Sequence, residues 1–380
     1  MNSKERVLRT ISHEEPDRVP VGEWGIDHDH VSRIIGRHTH WRNRKDETIA
    51  LWEGRRDDVV ESLKQDCAEL IETLDYDLIT VGMVPPKGYR VEDPPRKIGD
   101  GLWEDSQGNR YKYAASNDSI MSYRQSPARE EISDEEVDAM IERLADFDRS
   151  RFELVAWIGE RYGREKAIVF RNIDIYSALM SPFGGDQTHA LILPLIAPEQ
   201  IKKLHRYAVL RNQLMIDLCR QHQVLICMQG HDFGMNTGTI MSPEVIRDLY
   251  VPLMRDVNTY TAEQGMIPFF HCCGNIWSVL PDFVAAGYRG YQSIQESAGM
   301  ANEKVKERFG DQLALWTGIQ CETLIDGTPE EARREVARNL EILMPGGGFI
   351  FGSTNSVQFG ASTDNYLAAL DVVRQKGWYR

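Results

Sequence analysis

"IPFFHCCGN", residues 267–275, enters as an apolar run and leaves as His271, Cys272, Cys273, Gly274 and Asn275. A run this short, rich in aromatic residues and closed by glycine, reads as a strand buried on both faces. Its polar side chains then collect at the strand's C-terminal end. Runs of the same kind recur through the second half of the chain: "AIVFRN" (167–172), "VLICMQG" (224–230), "YRGYQSIQ" (288–295), "LALWTGIQ" (313–320) and "GGFIFGS" (347–353). Amphipathic stretches separate them. "SPEVIRDLYVPLM" opens with Ser242 as N-cap and Pro243 at the first helical position. "TPEEARREVARNLEIL" opens with Thr328 and carries Glu331 three residues later, the pattern of a capping box. Within 199–221, Ile201, Leu204, Ala208, Met215 and Leu218 share one helical face.

Strands that alternate with helices call for a parallel sheet. Six or more such units favour a closed (β/α)8 TIM barrel, and "RVPVGEW" (18–24) and "DLITVG" (77–82) supply the remaining strand candidates. An open doubly wound sheet would bring a glycine-rich phosphate turn, and neither G-x-G-x-x-G nor a Walker sequence occurs. The expectation is one α/β barrel domain spanning residues 1–380. Residues 1–76 form an N-terminal helical and extended segment packed on the barrel. Residues 94–125 form an excursion built on a hairpin that turns at Gln107, Gly108 and Asn109.

Composition narrows the function. The chain has 44 basic and 58 acidic residues and a net charge of −14, which gives no long-range attraction to nucleic acid or to an anionic membrane. No run of about 18 apolar residues occurs, so no membrane span is expected. The N-terminus lacks the apolar stretch of a signal peptide. Six cysteines without a framework spacing suit reduced thiols in a cytoplasmic protein. A small-molecule substrate is the expected partner, and a homodimer is left open.

In a barrel of this kind chemistry sits at the C-terminal strand ends. His271 and Cys273 are two residues apart, so in extended chain they face the same side. Cys272 faces the other way and reads as a small buried hydrophobe. Cys321 leaves a later strand end. One His and two Cys make a three-ligand zinc site with an open fourth position; a satisfied histidine beside two inert thiols is the plainer reading of the same residues. Asp27, His28 and His30 follow the first strand candidate and read as a solvated turn. Trp24, Phe233, Tyr291 and Trp316, near strand ends, suit an apolar pocket.

Several segments together resemble the uroporphyrinogen decarboxylase superfamily, in particular its zinc-dependent corrinoid methyltransferase branch. They are "SKERVLRTISHEEPDRVPV", "FGMNTGTIMSPEVIRDLYVPLMRDV", "HCCGN" followed by "PDFVAAGYRGYQSIQESAGM", and "GTPEEARREV" followed by "GGGFIFGSTNS". The resemblance implies a distorted TIM barrel. It also implies zinc held by His-x-Cys and a later Cys: His271 and Cys273 match the pair, and Cys321 stands in as the third ligand. Relatives place that later Cys after the last strand, where this chain has Ser353 and Thr354. Asp232, His231 and Glu296 are the alternatives for the third place and the candidate catalytic residues, Asp232 or His231 as proton donor to a leaving oxygen.

The arginine-rich R-Q-A-G-R motif of the true decarboxylase has no counterpart in "VGEWGIDHDHVSRIIGR". The resemblance therefore implies methyl transfer to or from the cobalt of a corrinoid (cobalamin), and the aromatic residues near the strand ends favour a methoxylated, aromatic or other small donor, an O-demethylation. A base-off D-x-H-x-x-G motif is absent, so the corrinoid is expected on a separate protein. A methylcorrinoid:thiol methyltransferase and a cofactor-free decarboxylase remain the alternatives.

Overall fold

The computed structural model describes residues 1–122 and 127–380. Seven parallel strands form one curled sheet in chain order: β1 Leu78–Val81, β2 Ala167–Ile173, β3 Ile226–Gly230, β4 Ile267–His271, β5 Gly290–Gln292, β6 Ala314–Ile319 and β7 Phe349–Ser353. The stretch 18–24 closes the ring between β7 and β1. The Val21 carbonyl accepts from the backbone N–H groups of Asp77 and Leu78 (2.7 and 3.2 Å), Gly22 N–H donates to the Phe351 carbonyl (3.1 Å), and Phe351 N–H donates to the Pro20 carbonyl (2.9 Å). The fold is a distorted TIM barrel in which a bridged segment takes the eighth position.

Two cores follow from the strand alternation. Leu78, Ala167, Val169, Ile226, Met228, Phe269, Ala314, Trp316 and Ile350 point inward and fill the barrel, joined by Val7 from the helix Ser3–Ile11. That helix packs on β1, β2 and β7 and plugs the floor. The larger core lies between the sheet and the outer helices. Ser242 caps Pro243–Leu249 through the Val245 N–H, and Thr328 with Glu331 forms the capping box of Pro329–Leu343. The 199–221 segment is two helices, Pro198–Lys203 and His205–Gln221, meeting at Leu204.

Three details differ from the sequence reading. The excursion is more than a hairpin: Arg96–Gly99, Leu102–Glu104, Arg110–Ala114 and Ser119–Ser122 make a four-stranded antiparallel sheet. Its central turn falls where expected, with Gly108 at φ +80°, while residues 123–125 lie outside the described residues. The sheet leans on Trp52 of the helix Arg44–Trp52 through Trp103 and Tyr111.

Second, Asp27, His28 and His30 are no solvated turn. They open the helix His28–Ile35; His30 is buried, its two ring nitrogens 2.8 Å from Thr363 Oγ1 and from the Gln358 carbonyl, and Asp27 pairs with Arg42 at 2.6 Å. Third, β5 ends at Gln292, three residues short of the expected end at 295. Ser293 takes φ +83°, which breaks the extended chain.

Candidate metal centre

The loops after β3 and β4 cross with backbone against backbone. A Cβ on Gly274 would lie 2.4 Å from the Gly234 carbonyl carbon, and one on Gly234 would lie 2.5 Å from the Cys273 oxygen. Two glycines are needed for that approach, and Gly274 also sits at φ +78°. The crossing is tied by Asn275 N–H to the Met235 carbonyl (2.8 Å) and by His231 N–H to the His271 carbonyl (3.0 Å). Its result is to bring Asp232 against the end of β4.

Asp232, His271 and Cys273 then converge. One potential ligand atom from each lies within 4.8 Å of the other two. Cys273 Sγ is 3.5 Å from His271 Nε2, His271 Nε2 is 3.6 Å from Asp232 Oδ1, and the Cys273 N–H donates to Asp232 Oδ1 at 2.9 Å. Behind them, Gln292 Nε2 donates to the Ser353 carbonyl at 2.8 Å, so its Oε1 is left to face His271 Nδ1. That oxygen only accepts, so Nδ1 carries the proton and Nε2 presents its lone pair to Cys273 and Asp232. Trp24 stacks on the imidazole, with ring centroids 4.8 Å apart and planes within 9°, and fixes its tilt.

The thiol is held from two further strand ends. Ser293 Oγ and Asn355 Nδ2 each lie 3.2 Å from Cys273 Sγ. Ser293 is fully buried in a left-handed conformation, the kind of strain that persists where a site needs it. Burial, reinforced by the Asp232 carboxylate, pushes the Cys273 thiol up to about 12. Burial lowers the His271 imidazole, against the pull of Asp232. A neutral imidazole, a thiol and a carboxylate in contact lack a counter-charge, and a cation among them would satisfy all three. Nitrogen, sulfur and oxygen donors of this kind fit zinc.

The structure places the other expected residues as follows. Cys272 is buried behind the strand, where the Phe233 N–H donates to its sulfur at 3.3 Å. His231 is buried and pushed down to about 4 by desolvation, so its ring is neutral; its Nε2 has no partner among the described residues. Cys321 begins the helix Cys321–Asp326 and stands outside the converging group; its sulfur lies 3.6 Å from Thr354 Oγ1 and 3.9 Å from the Ser356 carbonyl. Glu296 turns to Arg338 (3.0 and 3.3 Å) and to the Asn302 N–H (3.2 Å). Of the four aromatics, Trp24 and Phe233 border the centre or its cavity. Trp316 and Tyr291 are core: Trp316 donates to the Gly22 carbonyl inside the barrel, and Tyr291 stacks on Phe270.

Gln292, Ser293 and Glu23 are neighbours at the mouth, in contact with His271, Cys273 and Ser353, that sequence reasoning missed. The first two became visible only once β5 ended early. Glu23 lies in the closing stretch, and its carboxyl meets the Ser353 N–H and hydroxyl.

Asp232, 59% exposed, opens onto a cavity of about 640 Å³ between the residues after β2 and those after β3. Tyr176, Met180, Leu191, Phe233 and Met241 give it apolar walls, and His231 and Asp232 give it a polar edge. Its size suits a small organic substrate.

An imidazole, a thiol and a carboxylate thus meet at the C-terminal mouth of a parallel barrel. Residues 221–376 match the family described as Uroporphyrinogen decarboxylase (URO-D). A methyltransferase from Methanosarcina mazei has a similar fold, with a TM-score of 0.69 over 99% of each chain at 15% sequence identity. Comparison with curated protein sequences gives no match. Among the described residues no helix is long and apolar enough to cross a membrane.

Proposed function

We propose that the chain is a zinc-dependent methyltransferase. It takes a methyl group from a methoxylated donor, aromatic or another small molecule, and delivers it to the cobalt of a corrinoid on a separate protein. The observation that carries this reading is the convergence of His271 Nε2, Cys273 Sγ and the Asp232 carboxylate beside a substrate-sized cavity. The match of residues 221–376 to that family and the fold shared with a protein described as a methyltransferase support it.

These three residues would hold the ion, with Asp232 in the place that relatives give to a second cysteine. Zinc bound there supplies Lewis acidity toward a substrate oxygen. The remaining work belongs to the chain. Gln292 and Trp24 hold the imidazole in one tautomer and one plane. Ser293 and Asn355 hold the sulfur. The apolar cavity wall receives the body of the donor. His231, at the polar edge, has a free ring nitrogen to bond the oxygen that loses its methyl group. In the reaction the donor's carbon–oxygen bond would break, the oxygen leaving with its electron pair and taking up a proton, while the Co(I) of the partner's corrinoid, as acceptor, would supply the electron pair of the new bond to the methyl carbon.

The test supplies the purified protein with a reduced corrinoid protein and a panel of methoxylated aromatics, and follows cobalt methylation by absorbance. Transfer that needs zinc and fails in Cys273→Ala is expected. A zinc-free chain that leaves cobalt untouched and decarboxylates an acidic substrate overturns the reading in favour of the parent activity.

A further inference from the structure

The inward-facing positions of β1 and β2 run Leu78 then Thr80, and Ala167 then Val169. Beyond them Arg171 lines two cavities at the barrel mouth with Trp41, Arg42 and Thr80, its strand two places from that of His271. The Arg171 guanidinium forms no hydrogen bond and no ion pair with any described residue, although its strand is paired in the sheet. Its neighbours by charge are Arg42, Glu47, Arg44 and Asp27, and burial with the repulsion of Arg42 pushes it down to about 10, so it keeps its charge near neutral pH. Arg42, Arg44, Arg171 and Glu47 line a cavity of about 210 Å³ together with Trp41 and Leu154.

The charges in this cavity do not balance. Asp27 engages Arg42, which leaves the guanidinium groups of Arg44 and Arg171 facing a single carboxyl. Burial pushes Glu47 above the usual carboxylate range, against the pull of Arg171 and Arg44. In a chain of net charge −14 such a concentration of cations is not a product of composition. A half-buried cation without a partner is poorly compensated, and its planar fork matches a carboxylate or phosphate. Two features favour the carboxylate of a small organic acid over free phosphate. Trp41 and Leu154 offer an apolar wall for an organic body, and Glu47 repels a dianion.

We propose that Arg171, Arg44 and Arg42 form a subsite at the barrel mouth that binds the carboxylate of a small organic acid. The subsite borders the metal centre: Trp24, stacked on His271, lines a narrow cavity with Trp41, Arg42 and Arg171. The binding claim stands apart from the methyl-transfer reading, since it concerns affinity alone.

Calorimetric titration and thermal unfolding with benzoate, benzamide and inorganic phosphate test it. Benzoate is expected to bind the wild type in a 1:1 ratio and raise its Tm, with benzamide at least tenfold weaker. Arg171→Met is expected to weaken benzoate at least tenfold while its own unliganded Tm equals or exceeds that of wild type, because the unpaired cation is gone. If Arg171→Met fails to fold, Arg44→Met, at an exposed side chain, carries the same comparison. Benzamide binding as well as benzoate, or benzoate binding unchanged in the folded variants, overturns the proposal. Phosphate binding as tightly as benzoate reduces the site to one for free inorganic anions and overturns it equally.

Discussion

At the scale of the residue, Glu23 shows how much proton placement the mouth of the barrel dictates. Ser353 Oγ lies 2.6 Å from Glu23 Oε2 and also bonds the Asn355 carbonyl. The Ser353 N–H also donates to the same carboxyl, at 3.0 Å. Burial is the main influence on that carboxyl and pushes Glu23 up to about 8, against the Ser353 and Tyr366 hydrogen bonds. Between its ordinary value and about 8 the folded chain holds a proton that the unfolded chain has released. Glu23 therefore favours folding fully at acid pH, and this contribution is lost as pH rises through 8. Unfolding of wild type and Glu23→Gln between pH 5 and 9 checks this. The wild type should lose stability relative to the variant by up to about 1.4 kcal/mol per pH unit below pH 8, and the gap should level off above it. Parallel curves would show that the carboxyl is ionised throughout. Little of this is visible in sequence, because Glu23 and Ser353 are 330 residues apart.

At the scale of the element, the centre depends on where strands stop. The apolar runs announce β1 to β7 because doubly buried strands need continuous apolar residues. Their ends are less legible. β5 stops at Gln292 because Ser293 adopts φ +83°, a conformation that glycine advertises and serine does not. Reading the strand on to 295 put Glu296 at the mouth, whereas the shorter strand puts Ser293 on the thiol and turns Glu296 to Arg338. The loop crossing was half legible: "HCCGN" shows its glycine, but its contact with Gly234 is a matter of folding. Gly274→Ala should break that crossing. The new methyl group meets the Gly234 backbone, and the positive φ alone costs about 1 kcal/mol. Lowered urea stability together with loss of bound metal is expected; a variant that keeps both would show that the crossing does not position Asp232.

At the scale of the whole molecule, the barrel is closed by a segment too short to count as a strand, and buried charge pins it. Asp77, fully buried beside β1, accepts from Arg6 (2.6 Å), Arg18 (2.7 Å) and the Val21 N–H (2.9 Å). Asp77→Ala leaves two arginines short of a partner at the closing seam and should cost about 3 kcal/mol in urea unfolding. A change below about 0.5 kcal/mol would mean that the seam is held by packing alone. The closed ring is what carries residues from β3, β4, β5 and β7 to one point. The pair His271 and Cys273 could be read from spacing, whereas the third donor depends on which loop reaches them. The most direct measurement is zinc content, by elemental analysis, of the wild type and of Cys273→Ala, Asp232→Asn and Cys321→Ser. The arrangement predicts about one zinc per chain in the wild type and in Cys321→Ser, with loss from Cys273→Ala and Asp232→Asn. Zinc kept by Asp232→Asn and lost from Cys321→Ser, or a wild type without zinc, would contradict it.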